Sequence, residues 1–414
     1  MRSDKLSLVV AIAFGAAWAA CGGEAGTTST TTSSDASSSA SSGGSGGVGG
    51  VSSSSTSSTG GTGGASSSSS SGTGGSPGCA SPKVECNGAC VDLATDAANC
   101  GACAHDCQGQ ACSAGLCAAV VIADQLATPR GLAIDATHVY WTETAGGNVK
   151  RAPKAGGTIE VIASGQGTPI AVAVDAASAY WADATGGVIA KAPLAGGAPT
   201  TIATGQDQPY GIAVDATRAY WVNKSTPSPD VSVPSTGAVL SAPLAGGAPA
   251  TLASAQELPT AIAIDGTDVY WVAGGPVLAV MGAVRKVPLA GGAAVDLATG
   301  QDQPVSLAVG TDAVFFANAL GGTILSVPLA GGAPVTIAHD QLSPSGVATD
   351  GIHVYWANAG SGTIVRAPIA GTEQPLKLAS GQGLPFNVRV DGTHVYWSDA
   401  GATPGTGAVR KVAK

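Results

Sequence analysis

The pair Tyr-Trp occurs at 140–141, 180–181, 220–221, 270–271, 355–356 and 396–397, and Phe315-Phe316 fills the one missing slot. Successive pairs stand 40, 40, 50, 45, 40 and 41 residues apart. A period of that size marks a solenoid or a propeller. The second unit shows what repeats: IAVAVDAASAYWADATGGVIAKAPLAGGAPTTIATGQDQP. The phrases AVAVD, AYWAD, GVIAKAP and TTIATG alternate or run apolar over four to seven residues, as strands do. Between them stand Asp-Ala-Ala-Ser, Ala-Thr-Gly-Gly, Leu-Ala-Gly-Gly-Ala-Pro and Gly-Gln-Asp-Gln-Pro, which is turn chemistry. Helical solenoids fail because each unit holds too many glycines, of 61 in the chain, for paired helices. Four strands per unit make one propeller blade. The 295 residues from Val120 to Lys414 hold seven units of about 42 residues each.

The ends of this zone fix how the ring closes. VVIADQLATP (Val120–Pro129) matches the fourth phrase, and GAVRKVAK (Gly407–Lys414) matches the third. The last blade therefore lacks an outer strand, and Val120–Asp124 is the spare that completes it. Such a closure removes two exposed strand edges. The fold class expected is all-β: a seven-bladed β-propeller of four-stranded blades over 120–414, closed three strands plus one.

Asp-x-Thr-x-Val-Tyr-Trp-Thr-Glu (Asp135–Glu143), followed by Val-x-Arg-Ala-x-x-x-Gly-Gly, resembles the YWTD, or low-density-lipoprotein-receptor class B, propeller repeat. The resemblance covers all seven units. It implies a binding module and not an enzyme. Propellers of that family have six blades, whereas seven are counted here.

Residues 1–21 read as an export signal: Arg2 and Lys5 precede an apolar run from Leu6 to Ala20, too short for a comfortable bilayer span. Ala19-Ala20-Cys21 resembles the lipobox of bacterial lipoproteins, although Trp18 stands where that family usually has Leu. The resemblance implies lipidation at Cys21, and Gly22 after it favours the outer membrane or cell surface. The rival is an ordinary cleaved signal. Residues 22–78 follow as a tether, with nine of 57 positions other than Ser, Gly or Thr. Such a segment has nothing to bury and is expected to be disordered, its ends roughly 40 Å apart.

Eight cysteines then fall within 79–117: Cys79, Cys86, Cys90, Cys100, Cys103, Cys107, Cys112 and Cys117. So short a segment lacks an apolar core, and four disulfides are the economical reading, with 105 possible pairings. Zinc is the rival, since Cys100-Gly-Ala-Cys103 has ligand spacing with His105 close by. The run CNGACVDLATDAANCGAC resembles a cysteine-rich motif of exported bacterial proteins, which implies location and no activity.

A net charge of −9 argues against nucleic acid as a partner. No metal-binding, nucleophile-elbow or phosphate-loop motif stands out, so no cofactor, metal or catalytic set is expected. The repeated Asp (Asp135, Asp175, Asp215, Asp265, Asp350, Asp391) reads as a turn cap, and His138, His353 and His394 occupy equivalent slots. The Gln-x-x-Pro phrase (Gln166, Gln206, Gln256, Gln301, Gln341, Gln382) reads as architecture. Glu143, Asp183 and Asp399, after Tyr-Trp, read as turn stabilisers before cation ligands.

Departures from the repeat carry more information. Two adjacent units are lengthened between their second and third strands, at Asn223–Thr236 and Ala273–Met281. The second insertion presents Val277, Leu278 and Met281 as an apolar loop on the face of the Gln-x-x-Pro loops. Around that mouth the residues after the loop prolines differ: Arg130, Tyr210, Phe386, Asn387 and Arg389. Of 18 aromatic residues, only Tyr210 and Phe386 lie outside the repeated pairs and the export signal. The expectation is an exported binding or scaffold propeller, anchored to the membrane by lipid, contacting a protein or glycan through this face. The alternatives are a lyase or hydrolase assembled from Arg130, Arg389 and Asp399, and an envelope protein without a specific ligand.

Overall fold

The computed structural model describes residues 79–225, 237–275, 281–371 and 374–414. The export signal, Cys21, the tether, Val277 and Leu278 lie outside the described residues. Strands are β1 (Val84–Cys86), β2 (Ala89–Val91), β3 (Cys112–Ser113), β4 (Leu116–Cys117) and β5 (Val120–Leu126), before the first blade begins. That blade is β6 (Pro129–Ile134), β7 (His138–Glu143), β8 (Asn148–Pro153) and β9 (Glu160–Ala163). Seven such four-stranded antiparallel sheets follow one another, the inner strand of each lining a central channel. No helix occurs among the described residues.

The Tyr-Trp pair holds the ring together. Neighbouring residues on a strand point to opposite faces, so each Trp faces the blade before and each Tyr the blade after. Seven apolar clusters result, one at each blade interface. Tyr140 packs with Trp181, Tyr180 with Trp221, Tyr220 with Trp271 and Tyr270 with Phe316. Phe315 packs with Trp356, Tyr355 with Trp397 and Tyr396 with Trp141. The seventh contact returns to the first blade, and that return fixes the blade number. Each fully buried aromatic side chain contributes about 1.5–3 kcal/mol by area.

Closure follows the expected three-plus-one scheme. Strand Gly407–Ala413 pairs with β5 in the register Lys411↔Val120, Arg410↔Val121, Val409↔Ala123 and Gly407↔Leu126. The closing strand runs two residues beyond the expected Val120–Asp124, and Leu126 joins the cluster of Tyr396 and Trp141. The turns between third and fourth strands use φ values open to glycine, as at Gly156 (+84°) and Gly157 (+133°).

The cysteine-rich segment forms two small hairpins and four disulfides: Cys79–Cys90, Cys86–Cys103, Cys100–Cys112 and Cys107–Cys117. The Sγ atoms of Cys100, Cys107 and Cys112 lie within 4.8 Å of one another. Each is consumed by a disulfide, which takes the thiolates zinc would need. The segment also packs on the propeller, because Cys100, Cys107 and Cys117 share a buried cluster with Tyr355, Leu378 and Trp397. His105 fills its centre, with Nδ1 against the Cys100 carbonyl. Burial pushes its pKa below the usual value.

Candidate binding site in the central channel

The repeated polar residues are framework. Each repeated Asp receives backbone N–H groups of its turn on Oδ1; at Asp135 these come from Thr137 (2.6 Å) and His138 (2.7 Å). Its Oδ2 accepts the hydroxyl of the blade's own tyrosine, Tyr140 to Asp135 at 2.6 Å, and the bond recurs in the other five blades that have both residues. Burial alone would raise the Asp135 carboxyl; the Tyr140 hydroxyl and the turn N–H groups outweigh it and hold the pKa at about 2. The glutamines act likewise. Gln166, Gln206, Gln256, Gln341 and Gln382 accept the indole N–H of Trp181, Trp221, Trp271, Trp356 and Trp397 at 2.8–3.1 Å. In the first blade Trp141 donates instead to Glu143 (3.4 Å), since Gln125 stands one residue further from its proline.

The acidic residues after Tyr-Trp also tie loops down. Asp183 accepts the N–H groups of Gly167, Thr168 and Gly186. Asp399 accepts those of Gly383, Leu384 and Gly401 and pairs with Arg410 at 2.6 Å. Its carboxylate is thus spent on the rim, with contacts to neither Arg130 nor Arg389. The trio proposed for a catalytic site is not assembled.

Non-repeated residues do meet at the mouth. Arg130 of the first blade lies between the rings of Tyr210 of the third blade (5.2 Å to the centroid) and Phe386 of the seventh (5.0 Å). It also donates from Nη2 to the Tyr210 hydroxyl. Lys224 covers Tyr210 at 4.8 Å. It is the second residue of the first insertion, a place the sequence marked without naming this residue. The stack therefore spans the channel from the adjoining first and seventh blades to the third, with each cation–π contact worth about 0.5–2 kcal/mol. Its backbone is fixed from beside: the Ser398 hydroxyl donates to the Arg130 carbonyl (2.7 Å), and the Ser345 hydroxyl to those of Pro385 and Phe386 (2.9 and 3.1 Å). Burial raises the Tyr210 phenol, but the Arg130 and Lys224 charges more than offset this and leave its pKa below the ordinary value.

Met281 is 64% exposed at the end of the second insertion. Arg389 is not at this mouth. It is the fifth residue of its inner strand, four past Pro385, about 13 Å along an extended chain. The cavity it lines, of about 290 Å³, is walled by the last residues of four other inner strands, such as Ala133, Val174, Ala213 and Ile264. That is the channel half nearest the Asp turns, and the structure separates Arg389 from the residues with which the sequence grouped it. Arg389 Nη1 donates to Asn387 Oδ1 (2.6 Å), so Asn387 belongs with Arg389 and not with the stack.

Fold and site together define a seven-bladed propeller with a disulfide-rich segment on its flank and a cationic, aromatic cap over one channel mouth. The sequence model of the Stigma-specific STIG1-like protein family matches residues 66–120. No curated protein sequence matches the chain. Among solved structures, a streptogramin B lyase is similar at 14% identity and a TM-score of 0.59, over 72% of this chain and 97% of the lyase. Virginiamycin B lyase from Staphylococcus aureus is similar at 12% identity and a TM-score of 0.60, over 72% and 98%. The computationally designed protein Ika8 is similar at 14% and 0.51, over 71% and 98%. At such identities the likeness is one of fold.

Proposed function

We propose that this is an exported binding propeller, lipidated at Cys21 and held off the bacterial outer membrane by its Ser/Gly/Thr tether, which contacts a protein or glycan through the face carrying the Arg130–Tyr210–Phe386 stack. The observation that carries this reading is the stack itself. Three residues that break the repeat, on the adjoining first and seventh blades and on the third, which adjoins neither, converge over the channel with Lys224 beside them. Framework residues recur with the blades; these do not. Half-buried aromatic and arginine side chains held on a rigid scaffold, as Arg130, Tyr210 and Phe386 are, are what interfaces use as anchors. Both lengthened second-to-third-strand connections, the second of which contains Val277, Leu278 and Met281, start from the same end of their blades.

The test is capture from an envelope extract by the intact chain beside Tyr210→Ala and Phe386→Ala variants of unchanged melting temperature. The expected result is a partner retained by the parent and lost, by about tenfold or more in yield, by both variants. Capture that both variants keep would place the contact elsewhere. Labelling with radioactive palmitate, present in the parent and absent in Cys21→Ser, tests the anchor. A lyase reading is favoured by the fold of two solved neighbours alone, and the dispersal of Arg130, Arg389 and Asp399 tells against the residues that would have served it.

A further inference from the structure

The fifth position of the inner strand is Ala133, Ala173, Ala213, Ala263, Ala308 and Ala348 in six blades, and Arg389 in the seventh. The third position is Gly131, Ala171, Gly211, Ala261, Ser306 and Gly346, and in the seventh blade it is Asn387. Small residues there let seven inner strands crowd around one axis. Gly346, for instance, has the backbone of Phe386 and Asn387 within 3.0 Å of where a Cβ would stand. The seventh blade breaks both positions at once, and the two replacements bond to each other: Asn387 Oδ1 holds Arg389 Nη1 at 2.6 Å, with the Val388 carbonyl at 2.8 Å.

The guanidinium so held points into a cavity of about 290 Å³ whose other walls are Ala133, Ile134, Val172–Val174, Ile212, Ala213 and Ile262–Ile264. These walls carry no polar side chain. Arg389 has five N–H donors, of which one nitrogen is engaged, and it has no carboxylate partner among the described residues. Burial lowers its pKa to about 10, so it remains charged at neutral pH. A charge placed in apolar surroundings without an opposite charge is destabilising. A framework role explains neither the loss of alanine nor the orienting asparagine.

We propose that this half of the channel binds a small apolar carboxylate, the carboxylate on Arg389 and the hydrocarbon body against the alanine and branched aliphatic walls. A planar guanidinium matches a carboxylate bidentately. One cation suits a singly charged head better than a phosphate. The volume holds about ten non-hydrogen atoms at roughly 30 Å³ each, the size of octanoate or phenylacetate. This site stands on residues other than the stack, so it is independent of the partner proposed for the rim.

The test is calorimetric titration of the intact chain at neutral pH with octanoate, with octanamide as its uncharged counterpart, and with the Arg389→Ala variant. That variant restores the residue of the other six blades and is expected to fold, with a melting temperature no lower than the parent's. Octanoate should bind the parent, bind Arg389→Ala about tenfold or more weakly, and bind Arg389→Lys at an intermediate level, while octanamide binds about tenfold or more weakly than octanoate. The proposal is overturned if Arg389→Ala binds octanoate as tightly as the parent or if octanamide matches octanoate. It is equally overturned if the parent gives no binding heat with either octanoate or phenylacetate at millimolar concentration.

Discussion

The side chains that look functional by repetition are the ones that build the blades. Asp135 and its counterparts cap a turn with one oxygen and hold a tyrosine with the other, and the fifth blade shows that the two roles are coupled. There Phe315 has no hydroxyl, and Gly310 takes the aspartate position, where a Cβ would stand 2.9 Å from the Phe315 ring. Gly310→Asp and Phe315→Tyr should each destabilise, the second by about 1–3 kcal/mol for a buried, unpaired hydroxyl. The double variant should recover about 1–2 kcal/mol of their sum. Urea unfolding of the four proteins measures this, and strict additivity would deny the coupling. Acid behaviour follows from the same residues. The pKa values of His105 and His394 are lowered chiefly by burial, so the folded state binds fewer protons than the unfolded and stability falls as pH drops below about 6.5. The depressed aspartates contribute stability above about pH 4 that is lost as pH falls toward about 2, as for Asp135 and Asp265. Melting temperature should therefore fall in two limbs on acidification. A value constant from pH 7 to about 3 would contradict both assignments.

At the scale of strands, the ring has one interface that chain continuity does not guard, where β5 meets Gly407–Ala413. Ile122 of β5 and Ile202 of the second blade's outer strand are buried alike, at 6% and 4% exposure. Truncating either to Ala should cost about 2–5 kcal/mol at equilibrium. Ile122→Ala should raise the unfolding rate more, because opening there frees two strand edges at once. Equal unfolding rates in stopped-flow denaturation would show that the ring opens elsewhere. Strands and closure were legible in the sequence because each phrase alternates with period two and the end phrases are displaced by one strand. Disulfide partners were not, because cysteine spacing carries no information on which chain segments meet in space. The position of Arg389 was misread for a related reason. Proximity to a loop proline along the chain does not give depth in a channel, where each residue descends about 3.3 Å. The alanines at the same position of the other blades held the missing signal.

For the whole molecule, the repeat supplies rigidity, and function is assigned to the few places where the repeat is broken. The seven Tyr-on-Trp clusters and their variants form an unbroken circle. The disulfide-rich segment is fastened to that circle through Cys100, Cys107 and Cys117. On such a frame the Arg130 stack can stay ordered without a ligand, which lowers the entropy lost on binding. The account's central claim is that the contact face is the stack's end of the ring and not the end bearing the Asp turns. Two exposed alanines of the first blade bracket the choice: Ala145, between β7 and β8 on the stack's side, and Ala136, in the Asp135 turn at the opposite end. A photoreactive amino acid placed at each, in the intact chain irradiated with envelope extract, measures it directly. Cross-linked product at position 145, absent at 136 and lost when Tyr210→Ala is added, is the predicted result. Product at 136, or product at 145 that survives Tyr210→Ala, would contradict the account.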